Sequence, residues 1–246
     1  MPISPNQGSS AGGTVVTITG VNLAGTTAVR FGTRLATITG NTPTSVTVTA
    51  PSGSGAVDVT VTTAGGTSNP LPFYYIGAPF KLSLSPTGGS TAGGETVTIT
   101  GTGLFTATSV AFGANSAVPT VVSDGQITVT APAGTAGSVS VSVTTVGGTN
   151  NGFTYTYVDA PTLTNITPAS GPTTGGTSVT LVGTALTTTT GVTFGGVPAN
   201  FTVINGTVVS AVAPPGSVGA VDVVLTTGGG SATMSAAYTY VAGPGI

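Results

Sequence analysis

Val57-Asp58-Val59-Thr60-Val61-Thr62 sets an apolar residue at every second position and a polar residue between, the period of a strand with one buried face and one wet face. Outward from this stretch the same alternation continues, and helical spacing appears nowhere. Val, Thr, Ile, Tyr and Phe fill the periodic runs, residues that suit a pleated surface. Gly and Pro clusters interrupt them roughly every 8 to 15 residues. Short strands, frequent turns and no helix predict an all-β sandwich.

The pattern occurs three times. Ser4-Pro5, Ser85-Pro86 and Thr167-Pro168 align, followed by Gly12-Gly13, Gly93-Gly94 and Gly175-Gly176, then Phe31-Gly32, Phe112-Gly113 and Phe194-Gly195. Ala50-Pro51, Ala131-Pro132 and Ala213-Pro214 follow, then Gly65-Gly66, Gly147-Gly148 and Gly229-Gly230, and finally Tyr75, Tyr157 and Tyr240. The 246 residues thus divide into copies of about 82, too long a period for a solenoid and the mark of tandem domains, expected at 1–77, 78–159 and 160–246. A domain of this size buries roughly 60 to 65% of the surface its unfolded chain exposes, enough to fold without crosslinks. The junctions Gly77-Ala78-Pro79 and Asp159-Ala160-Pro161 are short and stiffened by proline. An elongated rod on the order of 100 Å is expected from three such domains. Asp124-Gly125 and Asn205-Gly206 between apolar runs predict hairpin turns with positive φ, and Gly40-Asn41-Thr42-Pro43 predicts a longer hairpin in the first copy.

The opening of each copy carries a family resemblance. Ile3-Ser4-Pro5, Gly8, Gly12-Gly13, Val16-Thr17-Ile18, Gly20 and Leu23 resemble the start of IPT/TIG domains. So do Leu84-Ser85-Pro86, Gly89, Gly93-Gly94, Val97-Thr98-Ile99, Gly101 and Leu104, and Ile166-Thr167-Pro168, Gly171, Gly175-Gly176, Val179-Thr180-Leu181, Gly183 and Leu186. The resemblance implies three immunoglobulin-like sandwiches of the E-set type. Domains of this family serve as spacers, dimerisation modules, DNA clamps and enzyme appendages, so fold alone does not choose among roles. The DNA-binding branch works through basic loops and the receptor branch usually carries disulfides, and this chain has neither. It is more similar to the Gly/Thr-rich modules of bacterial surface, fibre or phage proteins.

Composition removes whole classes of function. There is no Cys and no His, hence no disulfide, no thiolate nucleophile and no imidazole base or zinc ligand. Arg30, Arg34 and Lys81 are the only cations, and Asp58, Glu95, Asp124, Asp159 and Asp222 the only acids, where an ordinary chain of this length has about 60 charges. Three cations cannot neutralise the run of phosphates that a nucleic-acid surface covers, nor hold an anionic membrane. Mean hydropathy is positive, yet the most apolar run, Leu71 to Phe80, is broken by Pro72, Gly77 and Pro79 and is far shorter than the roughly 20 residues of a bilayer span. Met1-Pro2-Ile3 lacks the basic and apolar regions of a secretory signal, so either export uses another route or a leader has been removed.

The three copies act as an internal control, since a residue found at the same place each time is expected to be structural. Phe31, Phe112 and Phe194 are expected in the core, as are Phe73 with Tyr75, Tyr155 with Tyr157, and Tyr238 with Tyr240. The acids do not pair: Asp58 and Asp222 take equivalent outward positions on different copies, Asp124 a turn, Asp159 a linker and Glu95 a strand start. That excludes the paired carboxylates of glycoside hydrolysis and any calcium cage. No enzyme and no cofactor are expected. Tyr74, with outward parity, Phe80 and Lys81 at the first junction, and Phe105 in a loop have no repeated counterpart, and these four are the candidate contact residues. Natural sheets guard their edges with charge, and here Thr, Ser, Ala and Val fill the outward positions. The expected function is a non-enzymatic structural protein that self-associates, or joins other subunits of an extracellular fibre, surface layer or virion. The alternative is an adhesive module that binds a glycan or protein through loops at the sandwich tips.

Overall fold

The computed structural model describes residues 1–244. They form strands and connecting turns without a helix, arranged as six sheets in three sandwiches. By their contacts the residues fall into two compact units. One comprises Met1–Leu84, Thr98–Val129 and Ser140–Phe153. The other comprises Ser85–Val97, Thr130–Val139 and Thr154–Ile246, so the division passes through the second sandwich.

The first sandwich shows the plan. One sheet runs Ile3–Ser4, Val15–Thr19, Ser45–Thr49, Thr37–Asn41, and the other Gln7–Ser9, Leu71–Ile76, Gly55–Thr63, Ala28–Phe31, Arg34–Leu35. The opening segment therefore serves both sheets: Ile3 and Ser4 pair antiparallel with Ile18 and Thr17, while Gln7 to Ser9 pair parallel with Tyr74 to Ile76. The same order recurs in the second sandwich, from Phe80–Ser85 to Gly148–Val158, and in the third, from Thr162–Thr167 to Gly230–Val241. The peptide bonds at Ser4-Pro5, Ser85-Pro86 and Thr167-Pro168 are cis.

Alternation becomes packing directly. Val16 stands opposite Val48 and Ile18 opposite Val46, and all four are fully buried, each contributing about 1.5–3 kcal/mol of apolar burial. Phe31, Phe112 and Phe194 are buried as the parity predicts, and so are the late aromatic pairs. Their rings meet edge to face: Phe31 and Phe73 at 4.9 Å, Tyr155 and Tyr157 at 5.0 Å, Phe194 and Tyr238 at 5.1 Å, the geometry that aromatic quadrupoles favour. The last tyrosine of each copy also latches a loop. Tyr75, Tyr157 and Tyr240 donate to the carbonyls of Pro51, Pro132 and Pro214 at 2.8, 2.7 and 2.6 Å. Burial raises the pKa of all three. A glycine lies beneath each ring, at Gly53, Gly134 and Gly216, because any Cβ there would enter the phenol.

Two turns depart from expectation. The hairpins at Asp124-Gly125 and Asn205-Gly206 form, with Ser123 opposite Gln126 and Asn205 opposite Val208, but none of these turn residues takes a positive φ. In each case the register shifts just before the turn, between Val121 and Ser123 and between Val203 and Asn205. Such a bulge supplies the local twist that a primed turn would otherwise provide. The first copy has the longer connection, between strands ending at Asn41 and beginning at Ser45.

Candidate functional site

Three of the five acids, Asp124, Asp222 and Glu95, act as local braces. Asp124 accepts the backbone N–H groups of Gly103 at 3.1 Å and Phe105 at 3.4 Å. Asp222 accepts that of Ala236 at 2.8 Å. Glu95 accepts the N–H of Ser90 at 2.7 Å and the hydroxyl of Tyr155 at 3.4 Å. Burial first, and then the Glu95 charge, push the Tyr155 phenol up to about 12. Among the described residues no three acidic side chains gather as a metal site. Three clefts of about 290, 570 and 270 Å³ open on the described surface, and none of the three has a carboxylate in its lining.

The four candidate contact residues stand on separate elements. Tyr74 is exposed on Leu71–Ile76, opposite Ala56 and Gln7, between buried Phe73 and Tyr75. Phe80 begins the strand Phe80–Ser85 and is 59% exposed. Phe105 is 71% exposed, in the loop whose backbone Asp124 braces. Lys81, named with Phe80 at the first junction as a candidate contact residue, is buried instead. Its ammonium donates to the Val141 carbonyl at 2.7 Å and lies 5.1 Å from the centre of the Phe153 ring. Phe80 and Lys81, as strand neighbours, point to opposite faces, and the strand breaks its period of two so that Lys81 and Leu84 are both buried with Leu82 and Ser83 exposed between them. Loss of water around the ammonium lowers its pKa.

The edges of the sheets are almost uncharged. Thr37–Asn41, Thr120–Ser123 and Asn200–Asn205 carry no ionisable residue. Exposed apolar side chains stand on or beside the second and third edges, at Val118 and Val122, and at Val197 and Ile204. The first sandwich differs, because Arg34 on its edge strand reaches the carbonyl and hydroxyl oxygens of Ser52. All three edge strands also shift register once, which shortens the backbone open to pairing.

A further contact was missed in the sequence. Within the first compact unit, the Thr145-Val146-Gly147-Gly148 turn meets the junction that precedes its own sandwich. Gly147 is buried against the carbonyls of Gly77 and Ile76. Ser9 donates to the Gly147 carbonyl at 2.8 Å, and Asn150 to that of Pro79 at 2.6 Å. Within the second unit, Gly229 is buried in the same way against the carbonyls of Asp159 and Val158. The legible sign was the repetition of the latch tyrosine followed four residues later by proline, at Tyr75 and Pro79, Tyr157 and Pro161, and Tyr240 and Pro244.

Three sandwiches with aromatic latches define a tandem immunoglobulin-like protein. The family model of the IPT/TIG domain matches residues 1–75, 79–157 and 161–241, and the chain belongs to that family. It is 36% identical to fibrocystin-L of Homo sapiens over 111 residues, which cover 44% of this chain and 3% of that protein. It therefore spans only a small part of the curated relatives it matches. Among solved structures it is similar to the full extracellular region of plexin A4, at 23% identity and a TM-score of 0.48, over 89% of this chain and 21% of that one. It is also similar to the SGBP-B protein of the Bacteroides ovatus mixed-linkage glucan utilization locus, in complex with a mixed-linkage heptasaccharide. The identity there is 14% and the TM-score 0.31, over 96% of this chain and 66% of that one. No helix among the described residues is long and apolar enough to cross a membrane.

Proposed function

We propose that this chain is a non-catalytic structural protein of an extracellular, cell-surface or virion assembly, and that it associates with itself or with neighbouring subunits through uncharged sandwich surfaces. The observation that carries this reading is the composition of Thr120–Ser123 and Asn200–Asn205: these edge strands have no charged residue, Val122 and Ile204 are exposed on them, and Val118 and Val197 are exposed just before them in the chain. Charge is the usual barrier to edge-to-edge contact. The bulges move the expected contact away from long backbone ladders and toward these side chains. Because no ion pair is involved, screening by salt has little to act on.

Electron microscopy and sedimentation of the full chain over a concentration series test the reading. Ordered assemblies that persist in moderate salt and dissolve in Val122→Lys or Ile204→Lys are expected. Isolated particles at every concentration, or assemblies dispersed by salt alone, would overturn it. A glycan-binding role is the second reading, favoured by Tyr74, which offers an exposed ring on a rigid strand. A specific glycan-array signal lost in Tyr74→Ala would establish it.

A further inference from the structure

The hairpin that follows the edge strand Asn200–Asn205 is pinned as its counterparts are, with one chemical difference. In each copy a side-chain oxygen at the first turn position accepts the backbone N–H two residues on: Thr42 from Thr44 at 3.4 Å, Ser123 from Gly125 at 3.2 Å and Asn205 from Thr207 at 2.8 Å. The carbonyl of the residue between them, Pro43, Asp124 or Gly206, accepts the N–H of Leu23, Leu104 or Leu186 at 3.0 Å. In the first two turns the accepting oxygen is a hydroxyl. In the third it belongs to an amide, whose carbon is an electrophile.

Around Asn205 the parts of one reaction lie together. Its side-chain carbonyl oxygen accepts a second hydrogen bond, from the Thr207 hydroxyl at 2.8 Å. Two donors on that oxygen draw charge from the carbon and stabilise the oxyanion that forms when a nucleophile adds. The adjoining nucleophile is the backbone nitrogen of Gly206, whose N–H donates to no acceptor among the described residues. Gly206 has no Cβ to crowd the approach, and Asn205 is exposed. The chain has one other Asn-Gly pair, Asn151-Gly152, which lies within the strand Gly148–Val158. No hydrogen bond from the described residues reaches the Asn151 side chain.

We propose that Asn205 is a self-modifying site: the Gly206 nitrogen attacks the Asn205 side-chain carbon, and the edge strand gains a carboxylate. A bond forms between the Gly206 nitrogen and Cγ as that nitrogen gives up its proton. The bond from Cγ to the amide nitrogen breaks, ammonia leaves, and a succinimide ring is closed. Water then adds to one of the two ring carbonyls and opens it, leaving an aspartyl or an isoaspartyl residue. Water is the only co-reactant, and nothing is oxidised or reduced. The product places a negative charge on a strand that carries none, next to exposed Ile204, and charge is the usual guard of a sheet edge. The inference rests on the self-association reading above and supplies its control. The third edge is open to contact when the chain is new and guarded once it has aged, while Thr120–Ser123, with Ser123 at the equivalent place, stays as it is.

Ageing the full chain at neutral pH and physiological temperature tests this, with peptide mass spectrometry and isoaspartyl detection for the conversion and sedimentation velocity for association. Asn205 should convert several-fold faster than Asn151. Thr207→Val, which removes the hydroxyl donor, should slow it roughly tenfold. Gly206→Ala should slow it too, and its Cβ meets only the rotatable Thr187 hydroxyl, at 3.1 Å. Aged wild type and fresh Asn205→Asp should each lose roughly tenfold in association constant, whereas Asn205→Ser, which copies the second turn and cannot convert, should keep its association on ageing. Conversion no faster at Asn205 than at Asn151, or an unchanged rate in Thr207→Val, overturns the site. If Asn205 converts but aged wild type and Asn205→Asp associate as fresh wild type does, the control is wrong although self-association stands. A wild type that never associates removes self-association and its control together, and the conversion rates still decide the chemistry.

Discussion

The Thr63–Gly66 turn of the first sandwich and the Thr145–Gly148 turn of the second share a hydroxyl brace, a left-handed second glycine and the same place at the end of a long strand. They differ in what lies on them: nothing within 3.4 Å of a Cβ built on Gly65, and the Gly77 carbonyl on Gly147. Glycine in the second turn is demanded by the close approach of another backbone, and in the first by nothing within this chain. The same glycine pair thus accompanies a backbone contact in the second and third sandwiches, whose preceding segment is on the chain.

The largest expected effect is that of Gly147→Ala. Its Cβ would enter a backbone carbonyl, which cannot turn aside as a side chain can, and a loss of about 3 kcal/mol in urea unfolding is expected. An effect as small as that of Gly65→Ala would remove the distinction between the turns. Next comes the brace near the start of each sandwich. Glu95→Ala removes the charged acceptor of Ser90 and Tyr155, at a cost of about 2 kcal/mol. Thr14→Ala removes only a neutral acceptor at 3.3 Å from Ser9, at about 0.5–1 kcal/mol. Equal costs would show that the two sandwiches are braced alike.

A third contrast is with pH. The unfolded chain releases tyrosine protons at the ordinary value of 10.0, while folded Tyr155 holds its proton to about 12. The stability from this phenol is whole below pH 10 and is lost as pH rises toward 12. Urea titrations across that interval should show a decline that Tyr155→Phe flattens. The first sandwich has Phe73 at the equivalent place, so Phe73→Tyr should steepen the decline if its hydroxyl is equally buried. The smallest effect is on the stability of Gly65→Ala itself, within about 0.5 kcal/mol of wild type in the monomer. A larger loss would mean that the open turn is already strained.

Much of this was legible from residue order. Alternation around Val57–Thr62 identified strands, and parity placed Phe31, Phe73 and Tyr75 in the core. Lys81 could not be placed by parity because its strand breaks the period of two, burying both Lys81 and Leu84 with Leu82 and Ser83 exposed between them. The turn glycines Gly125 and Gly206 were misread because a bulge one step upstream, invisible in residue types alone, had already supplied the twist. Tyr74 and Phe105 were legible as exposed, but parity describes a strand's faces and says nothing of distances between elements.

Residue order and composition were enough for the fold class, the threefold repetition and the poverty of charge, because each is a property of local period or of composition, and the opening motif of each copy pointed to the family. The tertiary structure alone decided which recurring residues are in use. Burial of Gly147 and Gly229 and exposure of Gly65 depend on whether a preceding backbone arrives at the turn, a contact between segments some seventy residues apart in the chain. No local pattern encodes such a meeting, and the identical Gly-Gly pairs of the three copies conceal it.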